Sequence, residues 1–350
     1  MTGKTAVVAG AFGVVGQALI AHLEALGDWQ VIGLSRRDAL NGARAQHIAV
    51  DLTDVAASRQ ALATLPPVDI AFFAAYAPRA TFAEEVAPNL AMLVNLVDAV
   101  EARSPKLQRI VLTQGSKWYG SHLGPYKTPA NEDDPRLPIA NFYYAQQDWL
   151  AARQQGKGWS WSALRPHAIL GHAMGSAMSL LDVIAVYAAI SKQLGLPLRF
   201  PGKPGAFTAL YQMTDARLFA RAMLWAATAP ACANRAFNLT NGDLVRWCHL
   251  WPAIADAFQM PVGPVQTFSL AQAMADKEPL WRDMVQRHGL RSEALLRQLN
   301  WRFGDFVFGS DYDHVSNLTQ ARQAGWHESI DSTAIMVELL RDLRQRRIVP

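Results

Sequence analysis

Residues 5–19 read TAVVAGAFGVVGQAL. Thr5 to Ala9 form a short apolar run of the kind that fills a buried parallel strand. Gly10, Gly13 and Gly16 follow at three-residue intervals, and Val15, Leu19, Leu23 and Leu26 then recur at helical spacing until Gly27-Asp28 stops the pattern. A glycine turn between strand and helix lets the backbone come close to a pyrophosphate, whose charge is favoured at a helix N-terminus. Gly10, Phe12, Gly13, Val14 and Gly16 are therefore candidate contacts to a dinucleotide.

The same alternation continues outward. Val31–Leu34 (VIGL), His47–Asp54 (HIAVDLTD), Asp69–Ala77 (DIAFFAAYA) and Arg109–Ser116 (RIVLTQGS) read as strands, and Asn89–Val100 as a helix. Alternating strands and helices imply an α/β fold with a doubly wound parallel sheet of the Rossmann kind. Residues 120–138 carry Gly120, Gly124, Pro125, Pro129, Pro135 and Pro138, which mark a long loop. NFYYAQQDWLAARQQG, from Asn141, starts a helix, and WSALRPHAILG, from Trp161, is a sixth strand with its exit. An apolar helix spans about Leu180 to Leu194, and the chain from Arg246 onward is mostly helical. The expected division is a dinucleotide-binding domain of residues 1–170 and 206–245, with a smaller helical substrate cap of 171–205 and 246–350.

Bulk properties narrow the class. The chain has 350 residues, 51% hydrophobic and 18% charged, with eleven Trp and a net charge of +4. That composition fits a well-buried core and excludes a disordered chain. No run of like charges suggests a nucleic-acid tract, and the Arg-rich RDLRQRR near the end reads as a solvated helix terminus. Cys232 and Cys248 have no metal or redox spacing, and the nine His have none either, so no metal site is expected. No segment reaches the length of apolar residues a membrane span needs, and the glycines break any signal-peptide reading of the first residues. A cytoplasmic protein is expected.

Cofactor choice turns on the end of the second strand. A site for the unphosphorylated dinucleotide usually places Asp or Glu there; this chain has Ser35-Arg36-Arg37, whose guanidinium groups suit a 2′-phosphate. NADP(H) is the expected cofactor. Asp51 and Leu52 are placed to meet the adenine, Ala75 and Tyr76 to run under the diphosphate and nicotinamide ribose, and His167 to offer a backbone contact. Asn89 is read either as shaping the strand exit or as a helix N-cap.

Short-chain reductases pair a catalytic tyrosine with a lysine four residues on. Four past Tyr143 and Tyr144 stand Gln147 and Asp148. An ammonium need only be near the phenol in space, and Lys117, in TQGSKWYG directly after the fifth strand, is placed to reach it from the other side. Either tyrosine could be the partner on spacing alone.

GSKWYG, EDDPRLPIANFYYAQQD, RPHAILG, VYAAISKQLGLPLRFPG and FNLTNGDLVRWCHLWP together resemble the progesterone 5β-reductase/iridoid synthase-like (PRISE) family, an atypical branch of the extended short-chain dehydrogenases. The resemblance runs over nearly the whole chain. It implies NADPH-dependent reduction of activated C=C bonds of enones and enals by hydride conjugate addition. It places the family's catalytic lysine on Lys117 and its tyrosine on Tyr143, with Tyr144 left to packing or a backbone hydrogen bond. The oxygen that gains negative charge would be stabilised by Tyr143 with support from Lys117. Trp118, Tyr119, Tyr126, Tyr76 and Ala168 are candidates to wall the pocket of an apolar substrate, with plain core or loop packing the alternative for the aromatics. The shorter loop before Asn141, and Ala168 where plant relatives usually have asparagine, fit a bacterial-type member with its own enone range. A homodimer agrees with the habit of short-chain reductases. Two other readings use the same residues: a carbonyl reductase, dehydrogenase or epimerase, and a non-catalytic NADP(H) sensor.

Overall fold

The structure, a computed structural model, describes residues 3–37, 45–176 and 178–350. Its centre is a seven-stranded parallel sheet. The strands are β1 (Lys4–Ala9), β2 (Trp29–Ser35), β3 (Gln46–Ala49), β4 (Ile70–Phe73), β5 (Arg109–Thr113) and β6 (Ser160–Arg165). A separate parallel pair is made by β7 (Ile169–Leu170) and β8 (Thr214–Asp215), and β9 (Arg235–Asn238) closes the sheet. The order β3-β2-β1-β4-β5-β6-β9 reverses direction between β1 and β4. At such a switch point the crevice beyond the carboxyl ends of the strands is the binding site of doubly wound folds.

Strand alternation divides the core. Val7 and Ala9 of β1 point to one face, where they meet Leu93, Leu96 and Val97; Ala6 and Val8 point to the other, where they meet Leu19, Leu23, Phe219 and Met223. The first face is covered by α2 (Val55–Ala61), α3 (Phe82–Arg103) and α4 (Phe142–Gln154), the second by α1 (Val14–Leu26) and, later in the chain, Ala216–Thr228. A third apolar core, called the cap core below, lies among the later helices. It gathers α5 (Leu180–Gln193), α6 (Pro204–Thr208) and Trp247–Ala257, with Trp281, Phe308, Met336 and Leu340 from helices nearer the C-terminus. Trp247, Trp251 and Trp281 are fully buried there. Ala321 and Trp326 leave the cap segment to join the sheet's second core.

Two features departed from the sequence pattern. Helix α3 starts at Phe82, seven residues before Asn89, because Thr81 and Glu84 form a capping box. Pro88 sits inside the helix without ending it. Asn89 is therefore no N-cap. No helix among the described residues is long and apolar enough to cross a membrane.

Candidate active site

The loops leaving β1 to β6 at the carboxyl edge of the sheet each bring a candidate residue, and the exit of β9 brings none. After β1, Gly10 has φ +87°, and a Cβ there would lie 2.6 Å from the Ala74 carbonyl oxygen. A Cβ on Gly16 would lie 2.2 Å from the Gly10 oxygen. Only glycine fits either position. Helix α1 begins at Gly13 with no side-chain cap, so its first amides, including that of Val14, remain open to an anion. This cradle fits a diphosphate.

At the end of β2, Ser35 Oγ accepts from the Arg37 amide (3.2 Å) and also pairs with His47 (3.1 Å). Arg37 donates to the carbonyl oxygens of Met174 (2.9 Å) and Phe12 (3.2 Å), and its guanidinium lies 5.3 Å from the Phe12 ring centre. Arg37 thus ties the β2 exit to the glycine loop. Arg36 is exposed and makes no hydrogen bond among the described residues. Of the pair, it is the guanidinium left open to a phosphate. Asp51 accepts from the Thr53 amide (2.9 Å) and hydroxyl (2.7 Å). Desolvation pushes its carboxyl up, but those bonds and the charges of Arg36 and Arg79 outweigh it and hold the group below the usual carboxylate value. Leu52 is buried next to it.

Lys117 lies in the single 3₁₀ turn Ser116–Tyr119 that follows β5. Tyr143 opens the first turn of α4. Asn141 joins the two: its side-chain amide donates to the Lys117 carbonyl oxygen (3.0 Å), and its Oδ1 caps the Tyr143 amide (2.9 Å). The Tyr143 hydroxyl comes within 3.3 Å of where a Cβ on Gly115 would stand, two residues before Lys117. It has no hydrogen-bond partner among the described residues. Burial and the charge of Glu85 push the phenol well above its ordinary value. The Tyr144 hydroxyl, by contrast, donates to the Trp118 carbonyl oxygen (2.6 Å) and accepts from the Leu137 amide (3.3 Å).

The Lys117 ammonium lies 5.8 Å from the Tyr76 ring centre and 5.4 Å from that of Phe82. Burial pulls it below the ordinary lysine value, and Glu85 pulls it back up. His122, edge-on to Phe82 at 4.3 Å, is driven down to about 4 by burial and by Lys117, so its imidazole is neutral near pH 7.

Gln147 sits in a second network. Arg165, 1% exposed, donates to Gln114 Oε1 (2.9 Å), the Tyr119 hydroxyl (3.0 Å), the Glu132 carbonyl (3.0 Å) and Gln147 Oε1 (3.2 Å). Gln114 also donates to Gln147 Oε1 (3.2 Å). A lysine at 147 would set a second cation against this buried guanidinium.

The remaining candidates divide. The Arg165 guanidinium stacks on Trp118 at 3.6 Å and Tyr144 meets that indole edge-on at 4.7 Å, while Tyr119 gives its hydroxyl to Asn238 (2.5 Å). Trp118 and Tyr119 are both buried and cluster with Ala130 and Tyr144. Burial raises the Tyr119 phenol to about 12. Tyr126 is partly exposed and faces Tyr312 and His314. Ala168 packs on the cap core. His167 is 4% exposed, bonds Ser316 Oγ at 2.8 Å and is driven down to about 3, so its ring is no acid or base at neutral pH. Ala75 and Tyr76 leave β4 beside the site, and Tyr76 stacks at 5.6 Å on Phe142. Asn89 binds both the amide and the carbonyl of Ala77 (2.9 Å each), fixing the turn that follows Tyr76.

Glu85 was missed. It is 4% exposed, and its Oε1 accepts a hydrogen bond from the Tyr76 hydroxyl. Consecutive Glu84-Glu85 was the available signal: the capping box uses the first and leaves the second unexplained.

The fold and this arrangement define a Rossmann-type oxidoreductase of the short-chain dehydrogenase class. Its residues 49–350 match the model of the PRISE-like Rossmann-fold domain, and the chain belongs to that family. It is 33% identical to an (S)-8-oxocitronellyl enol synthase of Nepeta racemosa, covering 99% of this chain and 91% of that one. It is 31% identical to a 3-oxo-Delta(4,5)-steroid 5-beta-reductase of Arabidopsis thaliana (99% and 93%) and 32% identical to a short chain dehydrogenase of Penicillium aethiopicum (99% and 99%). Among solved structures, an Agrobacterium tumefaciens short-chain dehydrogenase/reductase with bound NAD superposes with a TM-score of 0.66 at 19% identity, covering 98% of each chain. That likeness supports the fold.

Proposed function

We propose that the protein is an NADPH-dependent reductase of activated C=C bonds in α,β-unsaturated carbonyl compounds. The observation that carries this reading is the Tyr143 hydroxyl, unpartnered among the described residues, on a residue whose backbone amide Asn141 ties to the Lys117 turn at the same sheet edge as the glycine cradle. The names borne by the plant relatives agree with it, since both denote chemistry on conjugated or oxo-terpenoid and steroid carbonyls.

When bound, NADPH supplies a hydride to the β-carbon of the enone. The chain's part is to receive the negative charge that appears on the carbonyl oxygen. Tyr143 donates a hydrogen bond to that oxygen, and the Lys117 ammonium adds a positive field in a water-poor site. A donor of this kind lowers the barrier by about 3–4 kcal/mol. The Tyr143 phenol, pushed up by burial, stays protonated and so acts as donor rather than base. Arg36 is the residue assigned to the 2′-phosphate, and the apolar and aromatic surroundings of Lys117 suit a hydrophobic substrate.

Incubation with NADPH and either 2-cyclohexenone or cyclohexanone tests the reading. Cofactor oxidation with the enone and none with the saturated ketone is expected. The reverse pattern would make the protein a carbonyl reductase and overturn the proposal.

A further inference from the structure

Glu85 is a buried carboxyl at the centre of the site with only half of its capacity used. Its Oε1 accepts the Tyr76 hydroxyl. Its Oε2 is buried and has no hydrogen-bond partner. An orphaned oxygen on a residue 4% exposed is costly to leave unmatched, because desolvation of a charged group is offset only by an opposite charge or a donor. The groups facing it come from three elements packed around the first turn of α3. Tyr76 enters from the β4 exit, Lys117 from the turn after β5, and Tyr143 from α4. Lys117 is the only cation of this set, and its ammonium stands over the very ring that Glu85 holds. His122 also feels the Lys117 charge but is neutral.

We propose that Glu85 is a positioning residue of this site, fixing Tyr76 with one oxygen and serving with the other as the counter-charge that keeps the Lys117 ammonium and the Tyr143 phenol protonated. The proposal deepens the reductase reading and rests on it for its catalytic meaning. Physically, Lys117 is pulled toward its neutral form by burial, and a neutral amine would give no field to a developing oxyanion. Nothing else among the described groups facing Lys117 is anionic. Glu85 opposes that loss. It also discourages phenolate at Tyr143, since two like charges would then share one low-dielectric pocket.

The test separates charge from shape. Glu85→Gln keeps the volume and an acceptor for the Tyr76 hydroxyl while removing the charge. Without the anion, both Lys117 and Tyr143 lose their protons at lower pH. The alkaline limb of kcat/KM for NADPH-dependent 2-cyclohexenone reduction should therefore move down by roughly one pH unit. An independent readout needs no cofactor or turnover. Lysines are reductively methylated with carbon-13 formaldehyde, and the Lys117 resonance, assigned through Lys117→Arg, is titrated in the cofactor-free protein. Its midpoint should fall by a similar amount in Glu85→Gln. Glu85→Asp, which retains the charge and serves also if the amide variant fails to fold, should keep both midpoints near wild type. A limb and a Lys117 midpoint that coincide in wild type and Glu85→Gln would overturn the proposal, as would an Asp variant displaced as far as the Gln variant. A wild type inert toward enones would defeat the reductase reading alone, because the methyl-lysine titration would still decide the role of Glu85.

Discussion

A phenol can serve an oxyanion only if its proton is free to be offered. The neighbouring tyrosines of α4 differ on this point. Tyr144 donates to the Trp118 carbonyl and accepts from Leu137; Tyr143 offers its hydroxyl to no partner among the described residues. Tyr143→Phe should lower kcat roughly 10²–10³-fold with an unchanged melting midpoint. Tyr144→Phe should cost about 1–2 kcal/mol of stability and leave kcat within a small factor. Paired turnover assays and thermal melts read both, and an exchange of the two phenotypes would move the catalytic assignment to Tyr144. Gln147 explains why the usual tyrosine–lysine spacing cannot return. Its Oε1 accepts from buried Arg165, so Gln147→Lys would place two cations in hydrogen-bonding range with no added acid. The cost should be on the order of 3 kcal/mol. Combining Gln147→Lys with Lys117→Ala should not restore turnover; recovered activity would show that the fourth position can still serve the phenol.

At the scale of elements, the parts readable from sequence were those with a local pattern. The apolar β1, the glycine turn and the 3.6-residue period of α1 are local, and they place the nucleotide cradle. The Lys117 turn and the NFYY helix start were also legible as segments. What joins them was not, because the Asn141 side-chain bond to the Lys117 carbonyl spans 24 residues of chain and leaves no periodic trace. The same limit hid Glu85, whose partners come from three separate elements. The helix read from Asn89 starts seven residues earlier in α3, where Pro88 lies within the first two turns and the capping box at Thr81–Glu84 sets the start. The two arginines ending β2 illustrate how equal residues acquire unequal work. Arg37 is tied to the Phe12 and Met174 carbonyls, whereas Arg36 is exposed and open. Arg36→Ala should raise KM for NADPH about 10- to 100-fold, the loss of a charge-assisted contact, and leave KM for NADH nearly unchanged. Arg37→Ala should weaken both cofactors alike by loosening the glycine loop. Equal effects of Arg36→Ala on the two cofactors would remove it from the 2′-phosphate role.

At the scale of the whole molecule, the cap and the sheet meet along a seam that contains two buried imidazoles. His167 stands just past β6 and bonds Ser316, and His314 lies 6.4 Å away ring to ring, its carbonyl accepting from the Gln212 amide. Ser316 in turn bridges to Ala130 of the long loop. Burial drives His167 to about 3 and His314 to about 4, from an ordinary value of 6.5. The direction of the pH effect follows from which state binds protons first. Below about pH 6.5 the unfolded chain takes up protons on both imidazoles while the folded chain does not. Their contribution to stability is therefore whole above that value, declines as pH falls, and is exhausted near the folded-state values. Each group contributes up to about 1.4 kcal/mol per pH unit to that decline. Urea unfolding midpoints measured from about pH 7.5 to 5, the range in which imidazoles titrate, should fall steeply for the wild type. His314→Phe keeps a ring of similar size, removes one titrating group together with the unpartnered Nε2, and should flatten the fall appreciably. An identical slope in the two proteins would mean that groups elsewhere, His122 among them, and not this seam, set the acid limit of the fold.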